Sequence, residues 1–175
     1  MGLIGINMGS LRMSESFDIV LSRLLTPSDI AAALADLIPS GLRVDVQSSV
    51  DGLPHEPGAI WAIASGTDDP DWPCVLNVLA CCTECELGPY PDLRIAAHLW
   101  ERFGVDALCG TYPFAGELAP HDPYWSLACV GGQWHLASTA GTRLMGPYTD
   151  GTCEFPGTDP VRLVRPLVVP WSSDA

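Results

Sequence analysis

Residues 74–80, Cys-Val-Leu-Asn-Val-Leu-Ala, are apolar at every position but one. A strand with one solvated face alternates apolar and polar side chains, whereas this run has no face to give to water. It predicts a strand at the centre of a sheet, covered on both faces.

The segments around it supply the rest of the sheet and its cover. Phe17, Val20, Leu21 and Leu24 fall at i, i+3, i+4 and i+7, the spacing of one helical stripe. Thr26-Pro27-Ser28-Asp29 then predicts a fresh helix start, with Thr26 as cap, Pro27 in the first turn and Asp29 completing a capping box. Ile30, Ala33, Leu34 and Leu37 form its buried stripe, and Pro39-Ser40-Gly41 stops it. Leu42, Val44 and Val46 alternate with Arg43, Asp45 and Gln47 as a half-buried strand does, and residues 59–64 predict another. Tyr90-Pro91-Asp92 opens a third helix with a stripe of Leu93, Ala96, Ala97, Trp100 and Phe103, closed by Gly104. Residues 105–111 follow as a strand.

Residues 124–130 and 133–139 flank Gly131-Gly132, and two glycines between strand-like runs supply the positive-φ pair of a type I′ hairpin. Residues 152–155 and 161–167 predict two short strands, the last placed at an edge by Pro166. The predicted class is α+β, a mostly antiparallel sheet with about three helices packed on one face. Residues 14–170 are expected to form one domain, after an N-terminal extension at 1–13, non-native or flexible, and before a frayed tail at 171–175.

The charge balance narrows the partners. The chain carries 21 acidic residues against 8 basic ones, a net charge of −13, and every basic residue is Arg. Such a field repels phosphate backbones and anionic membranes and favours a basic protein. The Arg, Ala, Gly, Pro and Asp usage is that of a GC-rich genome and suggests an actinobacterial source. Seven cysteines, with no basic stretch and cleavage site of a secretory leader at the start, lead us to expect a cytoplasmic protein with free thiols.

No catalytic motif is complete. Cys82 and Cys85 have the spacing of half a zinc site, but no second pair completes the four ligands, and Cys109, Cys129 and Cys153 stand singly in strand-like runs. A cysteine hydrolase would pair Cys74 or Cys109 with His98, His121 or His135, yet none sits in a family signature. Asp68, Asp69 and Asp71 lack the frame of a calcium loop. A Gly-x-Ser-x-Gly elbow and a phosphate loop are both absent. No cofactor is expected.

What remains is the character of the loops. Asp68, Asp69, Asp71 and Trp72 share one loop; Glu84, Glu86 and Tyr90 share the next; Tyr112, Phe114 and Glu117 share a third. Aromatic anchors among carboxylates suit a basic partner, the rings supplying burial and the acids steering the encounter. The competing reading packs these rings on their own sheet.

The pattern resembles that of small acidic immunity proteins of bacterial polymorphic-toxin systems. The resemblance spans residues 14–168 and rests on architectural motifs: a helical N-terminal pair, Trp100-Glu101-Arg102-Phe103-Gly104-Val105 turning from helix to strand, and a late hairpin over residues 125–134. It implies an antitoxin that blocks a toxin's active site one-to-one and performs no chemistry, and it carries over no individual residue role. A secretion chaperone or adaptor holding a client protein, and an enzyme with a cysteine- or carboxylate-based site, are the alternatives.

Overall fold

A computed structural model describes residues 15–38, 43–47, 59–80, 89–112, 124–144 and 157–170. In chain order these form β1 (Glu15–Leu21), α1 (Pro27–Leu37), β2 (Arg43–Gln47), β3 (Ala59–Gly66), β4 (Cys74–Ala80), α2 (Pro91–Phe103), β5 (Ala107–Cys109), β6 (Trp125–Val130), β7 (Gln133–Ser138) and β8 (Arg162–Pro166). The strands make one eight-stranded sheet in the order β2-β3-β4-β1-β5-β6-β7-β8. Every pairing is antiparallel except β2 with β3. The α+β class is as expected, but the described residues hold two helices rather than about three. None of these helices is long and apolar enough to cross a membrane.

The missing helix is β1. Its first residues satisfy a helical spacing, yet Ile19 and Leu21 are fully buried in the core while Leu24, the last member of the supposed stripe, is 61% exposed. In the strand Phe17, Ile19 and Leu21 turn one way and Ser16, Asp18 and Val20 the other, and the apolar positions of such a run fit both periods at once. Pairing decides between them: β1 is zipped to β4 from Glu15↔Ala80 to Leu21↔Cys74 and meets β5 on its other side. β4 is central as expected, held between β1 and β3.

α1 begins as its sequence requires. The Thr26 side chain accepts the Asp29 N–H (3.2 Å) and donates to the Asp29 carboxylate (2.6 Å), with Pro27 opening the helix. α2 ends at Gly104, whose left-handed backbone (φ 62°) returns its N–H to the Trp100 carbonyl at 2.7 Å. Arg23, just past β1, also donates to the Phe103 carbonyl (2.8 Å), placing a cation at the helix's negative end. The buried face of α2 is rotated from the expected stripe. Leu93, Ile95, Ala96 and Leu99 are buried, while Ala97, Trp100 and Phe103 lie half-buried on its flank.

Both helices lie on one face of the sheet, where Ile30, Leu34, Leu93 and Leu99 join Ile19, Leu76, Val78 and Leu127 in a single core. On the other face a smaller cluster gathers Trp72, Leu108, Ala128 and Ala137, with Val20, Val130, Leu144 and Val161 against it. The β6–β7 hairpin is as expected: Gly131 and Gly132 both have positive φ, 57° and 78°, between the Val130↔Gln133 pair. Asp106 anchors its tip by accepting the Gly131 N–H at 2.9 Å, while its own N–H goes to the Ser22 hydroxyl at 3.0 Å. β8 is the exposed edge strand that Pro166 foretold. Because the Leu167 N–H points inward to the Trp134 carbonyl (2.8 Å), the missing donor of Pro166 falls on the outer side, and a bulge opposite Leu136/Ala137 further spoils the edge for strand addition. The strand expected at 152–155 lies outside the described residues.

Candidate binding surface

The turn joining β3 to β4 is closed by its own polar groups. Gly66 faces Cys74 across the strands, and the Thr67 N–H reaches the Pro73 carbonyl at 3.0 Å. The Thr67 hydroxyl donates to the Trp72 carbonyl (2.6 Å) and accepts the Asp69 N–H (3.1 Å). The Asp69 carboxylate then accepts the N–H groups of Asp71 (2.9 Å) and Trp72 (3.2 Å). Thr and Asp offer turn backbones such local partners, and here they take up the N–H groups of Asp69, Asp71 and Trp72.

This geometry separates four residues expected to act together. Asp68 and Asp71 are exposed. Asp69 is 7% exposed and spent on the turn, and Trp72 is 8% exposed, its ring packed with Leu108, Ala128 and Ala137. Trp72 is thus a core side chain on the far face of the sheet in place of the expected exposed anchor, because that face needs apolar cover and the turn aims its last residue there.

The turn forms one wall of a cleft of about 310 Å³, where Asp69 and Asp71 meet Arg143, Thr158 and Asp159. The Arg143 guanidinium donates to the Asp68 carbonyl (3.3 Å), and the Asp159 N–H bonds the Gly141 carbonyl (3.0 Å). The cleft therefore carries three carboxylates against one guanidinium. Sequence alone does not single out Arg143 and Asp159, since nothing local ties them to a turn so far back in the chain.

Tyr90 and Tyr112, expected in separate loops, meet at the start of α2. Their rings pack edge to face with centroids 4.7 Å apart. Tyr90 holds a left-handed backbone (φ 56°), the one non-glycine among the described residues to do so. Tyr112 donates its hydroxyl to the Asp92 carboxylate at 2.5 Å, and the Cys109 thiol lies 3.7 Å from the Asp92 carbonyl. Asp92 is 3% exposed, and burial raises its pKa above the usual carboxylate range, against the opposing pull of the Tyr112 hydroxyl and of backbone N–H groups. Burial, followed by the charges of Asp92 and Cys129, pushes the Cys109 thiol well up. Glu84, Glu86, Phe114 and Glu117 lie outside the described residues, as do Cys82 and Cys85.

Among the described residues the groups that a cysteine hydrolase would bring together do not meet, and His121 lies outside those residues. His98 faces Asp36 (3.3 Å) and Glu101 (3.9 Å), with Arg102 also on Asp36, and His135 meets the Gln133 carbonyl (3.1 Å). Among the described residues neither histidine is hydrogen-bonded to a cysteine. Cys74, Cys109 and Cys129 are buried, free thiols with raised pKa values. Among the described residues no three His, Cys, Asp or Glu side chains are grouped to hold a metal ion.

These features define an acidic α+β domain with a rigid, carboxylate-bearing turn beside a cleft. Comparison with protein-family models, with curated proteins and with solved structures finds no match.

Proposed function

We propose that this chain is an immunity-type inhibitor that binds a basic face of a protein toxin and occludes the toxin's active site. The observation that supports this reading is the turn at residues 67–73. Its internal hydrogen bonds fix the backbone, so Asp68 and Asp71 are presented with little ordering left to lose on docking. The adjoining cleft adds Asp159, and the net charge of −13 extends the same sign over the whole molecule, which accelerates encounter with a basic partner. In this reading the chain acts in the cytoplasm, needs no cofactor, and shuns nucleic acids and anionic membranes by charge.

Co-expression with toxin-like products of adjacent genes tests the proposal. The expected result is restored growth together with a one-to-one complex by light scattering. Continued toxicity with every neighbouring candidate, and no complex with any of them, overturns it.

A further inference from the structure

We infer that β2 is the edge at which this chain pairs with a second copy of itself, strand to strand and antiparallel, about a twofold axis through Val44.

The two ends of the sheet are finished differently. β8 is guarded by Pro166 and by a bulge, so it is a poor template for a further strand. β2 has neither. It runs without a break along β3 from Arg43↔Ala59 to Gln47↔Ile63, and among the described residues it is the last strand at its end of the sheet. In such a ladder alternate residues turn their N–H and C=O groups away from the neighbouring strand. Among the described residues nothing bonds the backbone of Val44, Asp45, Val46 or Gln47 on that outer side. An open edge of this kind accepts another strand.

Charge decides which strand fits. On the face away from the helices, Arg43 and Asp45 stand two residues apart, and the Arg43 Nε–H donates to the Asp45 carboxylate at 2.7 Å. The Arg43 guanidinium also lies over the Trp61 ring, 5.9 Å from its centroid, which steadies it. For two copies to form one continuous sheet with their helices on the same side, one residue of β2 must stand opposite its own counterpart. With Val44 in that place, Arg43 of each copy faces Asp45 of the other, and four charges alternate in sign across the junction. With Arg43 or Asp45 there, like charges stand opposite each other, and with Val46 there Asp45 meets only Gln47. The Val44 register is the one that joins opposite charges.

The layer above the sheet leaves room for this junction. α1 packs on β2, and its Asp36 side meets His98 and Arg102 of α2. At 3.6 residues per turn, Ala31 and Ala35 fall on the opposite flank of α1, half-buried and exposed respectively. These small side chains let the two copies of α1 approach across the axis. The net charge of −13 on each chain opposes self-association at long range, but salt screens that repulsion beyond about 8 Å at physiological strength. The inference concerns the chain alone and stands whether or not the inhibitor reading does, since each copy keeps its own turn at residues 67–73.

Sedimentation velocity of the full chain at physiological salt, over a concentration series, measures the association, and hydrogen exchange locates it. We expect a reversible dimer, with protection at the amides of residues 43–47 that grows with concentration. Arg43→Asp and Asp45→Arg each turn both cross-strand pairs into like charges, and each should weaken the dimer about tenfold or more. An equimolar mixture of the two variants sets opposite charges across the junction again, so it should associate more tightly than either variant alone. A parent that stays monomeric up to its solubility limit overturns the inference, as does a dimer whose β2 amides exchange independently of concentration. A mixture no tighter than the single variants overturns the Val44 register. If either variant does not fold, Arg43→Gln and Asp45→Asn remove the pairs without creating like charges, and an undiminished dimer in both sinks the proposal.

Discussion

The indole of Trp100 occupies the space that a side chain on Gly132 would need: a Cβ there would stand 2.6 Å from the ring. Gly132 also sits at φ 78°, whereas at its neighbour Gly131, with φ 57°, a Cβ would meet nothing within 4 Å. The two glycines of one turn are thus required for different reasons, Gly131 by backbone alone and Gly132 by backbone and by α2. Gly131→Ala should cost about 1 kcal/mol from left-handed strain. Gly132→Ala should cost about 2–4 kcal/mol, because displacing Trp100 adds overpacking. Urea melts of the two variants check the difference, and equal losses would show that Trp100 yields freely.

Trp72 is expected to matter for stability before it matters for binding. Its ring fills the cluster with Leu108, Ala128 and Ala137, so Trp72→Ala should destabilise the fold by about 3 kcal/mol. Asp69→Ala should cost about 1–2 kcal/mol, since the N–H groups of Asp71 and Trp72 lose their acceptor. Thermal or denaturant unfolding measures both. A Trp72→Ala protein as stable as the parent would show that the ring is dispensable to the core.

Asp68 and Asp71, exposed and outside the turn's hydrogen-bond network as side-chain acceptors, should behave differently. The double change to Asn should leave stability within about 0.5 kcal/mol. Against a basic partner it should slow association several-fold at low salt, and the gap should close as salt shortens the screening length to about 8 Å at physiological strength. Stopped-flow association across a salt series reads this, and an unchanged rate at low salt would remove these residues from the encounter surface.

The buried thiols should be inert. Cys129 is pushed up to about 11, first by burial and then by the charge of Asp106, and Cys74 and Cys109 are raised for the same leading reason. Thiolate is the reactive form, so near pH 8 all three should resist alkylation in the folded protein and react on unfolding. Peptide mapping after iodoacetamide treatment with and without denaturant checks the order, and rapid modification of Cys109 in the native state would contradict its burial.

Features set by neighbours in the chain were legible in the sequence. Thr26 and Asp29 needed only each other and Pro27 to begin α1. Gly104 and the Gly131-Gly132 pair marked backbone conformations that other residues resist. The apolar run of β4, broken only by Asn77, marked it as a strand of the sheet's interior. Pro166 could belong only to an edge.

What only the tertiary structure decided depends on residues distant in the chain. β1 reads equally well as a helix until β4 and β5 take up its backbone groups on both sides. The parallel pairing of β2 with β3 has no local signature, because the same alternation serves either direction. Trp72 looked like an exposed anchor among aspartates, and the apolar face formed by Leu108, Ala128 and Ala137 drew it inward. Asp92 looked like an ordinary helix-opening acid until Tyr112, twenty residues on, closed over it. Local propensity is a matter of a few dihedrals and near hydrogen bonds, readable from consecutive residues. Burial is assigned by whichever distant surfaces meet, and it turned one aspartate of the turn into a scaffold and left two to face solvent.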